Sequence, residues 1–312
     1  MDNWIWWIFT CFCSLYFVIL MLDFNKPQQK LIEQIDSQEL RRVDMETRLQ
    51  RVQEETEEMG TRLDDLDLQW DEQEERRKEL LPEANARRMK LVAAGPFSMG
   101  GRDEDSPSNE RPSHTVYISA YHISPFPVTN ADYREFVNCT GYKTPINWQR
   151  GTFPTGMGRH PVTNVSWQDA RSYCEWSGVR LATEAEWEKA ARGGDERPYP
   201  WGGRFVEGER CNSTNYYGTT TPVDEFPDGR SPYGIWDMAG NVYEWCSDQY
   251  DEEYYKSSPA TNPRGPEGGG ERVVRGGDYQ ETRAGVRTTH RTGQAETYNR
   301  DNIGFRVAMD AE

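Results

Sequence analysis

Between residues 31 and 90 the chain carries 18 Asp/Glu and 11 Lys/Arg, and Gly60 and Pro82 are the only Gly and Pro there. A segment about half charged cannot close a compact core, but it can form a long helix. Its apolar residues recur at heptad spacing. Leu31, Ile35, Met45, Leu49, Val52, Met59, Leu63, Leu66, Trp70 and Leu80 fill 10 of the 15 seam positions of one unbroken frame. Gln38, Arg42, Thr56, Gln73 and Arg77 fill the others. An apolar seam of period 3.5 on a charged helix needs a partner helix. The expectation is a coiled-coil stalk over residues 25–82 that makes the chain a homo-oligomer, dimer or trimer. The alternative is a single solvated helix. Pro82 cannot continue a helix interior, so the stalk is expected to end there.

The flanks differ sharply. Residues 4–22 read WIWWIFTCFCSLYFVILML, 19 residues without a charge. That is long enough to cross a bilayer as a helix. Asp2 precedes the run, no Lys or Arg does, and no small-residue cleavage site follows. Residues 1–24 therefore read as an uncleaved single-pass membrane anchor rather than a cleaved signal segment. Lys26, Lys30, Arg41 and Arg42 lie on its C-terminal flank, diluted by acids. Read literally, the positive-inside rule puts the C-terminal bulk in the cytoplasm. The formal net charge of −16 argues against nucleic acid as a partner, because phosphate binding needs a Lys/Arg excess.

Residues 83–312 form the globular domain and hold nearly all the glycine. Three helix starts stand out. Thr129-Asn-Ala-Asp132, Ser166-Trp-Gln-Asp169 and Thr183-Glu-Ala-Glu186 each place a hydroxyl three residues before an acid, the capping-box pattern. Short strand-like runs, HTVYISAYHIS, RVVRG and GFRVAM, sit among turn-rich loops. The fold class is α+β, with few helices and much loop.

Ordered motifs run through this domain: MKLVAAGPFSMG, then HPVTNVSWQDARSYCEWSGVRLATEAEWEKAARGG, PYPWG, TPVDEFP, YGIWDMAGNVYEW, RVVRGGDY and NIGFRV. From about Met89 to Asp310 the chain resembles the formylglycine-generating enzyme (sulfatase-modifying factor) family. The resemblance implies a loop-rich, C-type-lectin-like fold. Family members include copper oxidases that make formylglycine, iron-dependent sulfoxide synthases and members without known chemistry, so fold does not fix function.

In the oxidases two cysteines after the R-G-G motif hold copper(I), for which soft thiolates are suited. Here Glu281 stands at the first of these positions, the second falls near Val286, and the last cysteine of the chain is Cys246. This is the cysteine-less branch of the family, and no copper is expected. The synthases need a histidine iron site. This chain has only His114, His122, His160 and His290, and no H-x₃-H pair, so no iron is expected either.

By resemblance, a structural calcium is expected on DMAGNVYE, with side-chain oxygens from Asp237 and Glu244 and carbonyls from Gly240 and Val242. Carboxylate and carbonyl oxygens suit that hard cation. A second family calcium site keeps only Asn215 and the Tyr216 carbonyl. A ligand surface, for a protein or a small molecule, is expected around the RGG segment at Asp278, Tyr279, Glu281, Arg283, Arg287 and His290. Against this, Arg287 and Arg291 resemble structural arginines of the cysteine-less members, as do Arg275 and Arg306. The family disulfide partner of Cys174 is lost, because GFR is followed by Val307. Sequons begin at Asn138, Asn164 and Asn212. The functional expectation is an anchored, oligomeric binding module. The alternative is a family enzyme with a non-cysteine site.

Overall fold

The computed structural model describes residues 3–102, 106–206 and 208–311. The chain divides into two compact units, one through Arg76 and one from Arg77 onward.

The first unit is helical. Helix α1 spans Asn3–Arg88. The seam residues from Leu31 to Trp70 are all exposed on it, Ile35 at 54% and Met45 at 68%. Among the described residues no helix is long and apolar enough to cross a membrane. The span expected at residues 4–22 therefore finds no support in the structure, and most of its side chains lie outside the described residues. The stop expected at Pro82 is not observed either, because α1 runs on to Arg88. Proline removes one backbone donor but holds φ near the helical value, so the helix can continue past it. Beyond Pro82, the Asn85 side chain donates to the Ser177 carbonyl at 2.8 Å.

The second unit contains the three expected helices: α2 (Asn130–Thr140), α3 (Trp167–Ser177) and α4 (Glu184–Arg192). All three capping boxes are formed, with Thr129, Ser166 and Thr183 as caps. Gly141 and Gly178 end α2 and α3 in the left-handed conformation, each at φ 68°.

One sheet orders β1 (Lys90–Val92), β4 (Tyr121–Ile123), β10 (Val307–Asp310) and β5 (Arg180–Leu181). It ties the start of the domain to its end. A hairpin pairs β2 (Gly95–Met99) with β3 (His114–Ile118). A second sheet orders β8 (Arg291–Ala295), β7 (Glu271–Arg275), β6 (Tyr243–Gln249) and β9 (Ile303–Phe305). Within it β6 and β9 run parallel. Each expected strand run lies in these elements; HTVYISAYHIS divides between β3 and β4. One apolar cluster gathers around Trp187, Ile123 and Met99. Another gathers around Tyr133, Phe136, Trp245 and Phe305.

Buried charge joins α4 to the second sheet. Arg275 and Arg291 are 0% and 1% exposed, and Glu184 and Glu188 are 1% and 0% exposed. Arg291 holds both oxygens of Glu184, at 2.7 and 3.0 Å. Arg275 donates to Glu188 at 2.6 Å and to the Thr288 carbonyl at 2.8 Å. Arg192 donates to the other Glu188 oxygen at 3.0 Å. A separate pair joins Arg306 to Glu244, whose Oε1 accepts at 2.6 Å, while Trp187 Nε1 donates to Oε2 at 2.7 Å. Buried charges persist when paired and hydrogen-bonded in this way. Of the arginines read as structural, Arg275, Arg291 and Arg306 are so placed, while Arg287 is part-exposed.

Candidate functional site

The loop that carries the expected ligand residues leaves β7 through Gly276 and Gly277, at φ 92° and 74°. A Cβ on Gly277 would lie 2.5 Å from the Gly285 carbonyl oxygen, so this close return of the chain requires glycine. Asp278 then fixes the turn. Its Oδ1 accepts from the Gln280 and Glu281 amides at 2.8 and 3.0 Å, and its Oδ2 from Asn302 Nδ2 at 2.6 Å. Burial pushes its carboxyl up. Tyr279 is 5% exposed and donates to Asp301 at 3.3 Å. A neighbouring loop docks here, with Thr214 N donating to the Glu281 carbonyl at 2.8 Å and Asn215 N to that of Tyr279 at 2.7 Å.

The six expected residues thus separate by role. Asp278 and Tyr279 are buried and hold the loop. Arg283 is exposed. Arg287 donates bidentately to Glu110, at 3.0 and 2.7 Å. Glu281 and His290 are half-buried and meet at Tyr243. The Tyr243 hydroxyl donates to Glu281 Oε1 at 2.7 Å, and His290 Nε2 lies 3.4 Å from the same hydroxyl. Burial, then the bond to Glu281, pushes the Tyr243 phenol well up, so it acts as a donor at neutral pH.

Two members of this group were not anticipated. Tyr243 lies in the calcium motif, and Glu110 lies far upstream in SNERP. Glu110 is fully buried. Burial alone would push its carboxyl up; the His290 ring, the Thr289 hydroxyl and the Arg287 guanidinium overcome that and hold it low. Its position 177 residues from Arg287 leaves no spacing signal by which sequence could pair them.

No thiol joins this group. All six cysteines are unbonded, and Cys174, Cys211 and Cys246 are buried. Burial pushes the Cys211 thiol up to about 11 and holds Cys174 and Cys246 higher still. Buried thiols raised in this way are poor nucleophiles. His160 is paired rather than free, with Nδ1 3.0 Å from the Thr220 hydroxyl.

A family model described as the sulfatase-modifying factor enzyme 1-like domain matches residues 76–311. The chain belongs to the sulfatase-modifying factor family. The formylglycine-generating enzyme of Streptomyces coelicolor is 34% identical over 71% of this chain and 88% of its own. A Bos taurus protein named inactive C-alpha-formylglycine-generating enzyme 2 is 32% identical over 72% of this chain and 88% of its own. Among solved structures, PvdO of Pseudomonas aeruginosa superposes with a TM-score of 0.63 at 28% identity, covering 72% of this chain and 94% of PvdO.

The family implies calcium at Asp237, Gly240, Val242 and Glu244. Asp237 fits a cation. It is 8% exposed at φ 54°, accepts from Asn241 Nδ2 at 2.9 Å, and burial pushes its carboxyl up to about 7. Its hydrogen-bond donor, Asn241, carries no charge. Gly240 completes a tight cradle, where a Cβ would fall 2.1 Å from the Asn212 carbonyl oxygen. Glu244 already has the Arg306 guanidinium, so it would share its oxygens with any cation. Among the described residues no group of three or more His, Cys, Asp or Glu is placed to hold a metal, so such a site depends on the Gly240 and Val242 carbonyls. Asn212, which begins the third sequon, is fully buried and donates to the Thr219 carbonyl at 2.8 Å. In the folded chain that position cannot carry a glycan.

Proposed function

We propose that this family domain is a binding module, presented by an oligomeric coiled coil, without the copper-thiolate oxidation of the formylglycine-generating enzymes. The observation that carries this reading is Glu281. It stands where the first copper cysteine would be, bonded to Tyr243, in a chain whose last cysteine is Cys246. A carboxylate cannot replace a thiolate for copper(I). The ligand, a protein or a small molecule, would meet Glu281, His290 and the exposed Arg283. Membrane attachment belongs to the same proposal and rests on the uncharged run at residues 4–22 alone.

The test is direct. The purified chain is incubated with a C-x-P-x-R peptide, copper and oxygen. An unchanged peptide mass is expected. Conversion of the cysteine to formylglycine would overturn the reading. A second reading, a family enzyme with a non-cysteine site, draws on the bonded Tyr243–Glu281–His290 group. Stoichiometric copper or iron in the purified chain would favour it.

Calcium is proposed as a structural ion held by Asp237, the Gly240 and Val242 carbonyls and Glu244. A ligand that binds only the folded state raises its melting temperature. Added calcium should therefore raise Tm, EDTA should lower it, and Asp237→Asn should abolish the response. A Tm indifferent to both additions would remove calcium from the account.

A further inference from the structure

From Leu31 to Trp70 the seam of α1 is exposed in one chain, and the charges beside it choose how a second copy lies. Taking Ile35, Leu49, Leu63 and Trp70 as a positions, Leu31, Met45, Val52, Met59 and Leu66 fall at d. The g positions are then Gln34, Arg41, Arg48, Glu55, Arg62 and Gln69, and the e positions Ile32, Glu39, Glu46, Gln53, Gly60 and Asp67. One flank of the seam is mainly basic and the other mainly acidic. Apart from Gly60, these positions are exposed along the helix.

In a parallel, in-register coiled coil each g residue faces the e residue five positions later on the other chain. Arg41 then meets Glu46 of the partner subunit, and Arg62 meets Asp67 of the partner subunit. Arg48 meets Gln53 of the partner subunit, Gln34 meets Glu39 of the partner subunit, and Glu55 meets Gly60 of the partner subunit. No like charges oppose. In an antiparallel pair g faces g and e faces e. Arg41, Arg48 and Arg62 would then crowd one flank, and Glu39, Glu46 and Asp67 the other. Charges at e and g set orientation in this way. Arg42, a charge within the seam, is neutralised on its own chain by Glu39 at 3.2 Å and Glu46 at 3.7 Å, so it need not find a partner across the interface.

We propose that α1 pairs with a second copy of itself, parallel and in register over residues 31–70, so that the chains leave the coil at the same end. This rests on the oligomer reading above and adds to it the direction of the strands.

The experiment uses the full chain in detergent, with Cys11, Cys13 and Cys139 changed to Ser. The three remaining cysteines are buried and take no label. A nitroxide is placed at Ser37→Cys in one sample and at Asp65→Cys in another, both on outer positions of the heptad. Pulsed dipolar spectroscopy then reads the distance between copies. Parallel pairing gives a distance below about 25 Å at both sites, from axes about 10 Å apart plus two label arms. Antiparallel overlap of residues 31–70 displaces either site by about 40 Å along the axis, at 1.5 Å per residue. Long distances at both sites overturn the orientation and leave the oligomer standing. Absence of dipolar coupling at both sites overturns the oligomer reading itself.

Discussion

Glu184→Ala is expected to destabilise the globular unit by about 3–5 kcal/mol, the cost of breaking a buried ion pair by removing one partner. The loss comes from what it strands. Arg291 would lose bonds of 2.7 and 3.0 Å, and Tyr255 one of 3.1 Å. Arg291 would stay buried with only the Asn109 and Asp251 carbonyls as acceptors, and Arg275 would keep Glu188, which already takes bonds from Arg275 and Arg192. Folded domains hold roughly 5–15 kcal/mol in total, so much of the margin goes. Urea unfolding monitored by tryptophan fluorescence reads the change. Arg171→Ala is the control. It removes an exposed pair with Glu175 one helical turn away, at 2.8 Å, and such pairs contribute about 0.5 kcal/mol or less. If both variants lose less than 1 kcal/mol, the network is not holding α4 against β7 and β8.

That network also shows where sequence reasoning reaches its limit. The starts of α2, α3 and α4 were legible because a capping box is a contact across three residues. Strands β3, β4, β7 and β10 were legible as short β-branched and aromatic runs, whereas β1, β2, β5, β6 and β8 carried no such signal. Arg275, Arg291 and Arg306 could be read as structural only through the family resemblance, since their carboxylate partners lie 62 to 107 residues away. The ligand set was legible as a place but not as a division of labour. Asp278 and Tyr279 carry chemistry-bearing groups, yet both are spent holding their own loop. Tyr243 and Glu110 escaped because tertiary contact alone brings them to Glu281 and Arg287. Pro82 misled for a simpler reason: proline lowers helix stability without always ending a helix. The heptad frame, by contrast, contained its flanking charges from the start, and the exposed seam gives them a surface on which to act.

A large pH effect is expected from Asp248, whose carboxyl, like that of Asp237, is pushed up to about 7. Its side chain is 2% exposed. Burial, with the Glu184 charge nearby, pushes its carboxyl up to about 7, against bonds from the Glu184 amide at 3.0 Å and the Ser247 hydroxyl at 2.9 Å. In the unfolded chain an aspartate titrates near 3.9. Between these values the folded state binds more protons than the unfolded state, so stability falls as pH rises. The contribution is fully present below about pH 4 and lost as pH approaches 7, on the order of a few kcal/mol by the conversion of about 1.4 kcal/mol per unit. Glu110 and Asp169 act in the opposite direction. Their carboxyls are held low, so their contribution grows with pH only in the acid range and is complete before Asp248 finishes titrating. Asp248→Asn keeps an oxygen for both bonds but no titrating charge. Its unfolding free energy should fall less steeply than the parent's between pH 5 and 7, and at pH 8 it should equal or exceed the parent's. Comparing the two proteins at each pH isolates this carboxyl from every other group. Parallel pH profiles would mean that Asp248 is ionised in the folded chain throughout this range, stabilised by a counter-charge stronger than the two bonds it accepts.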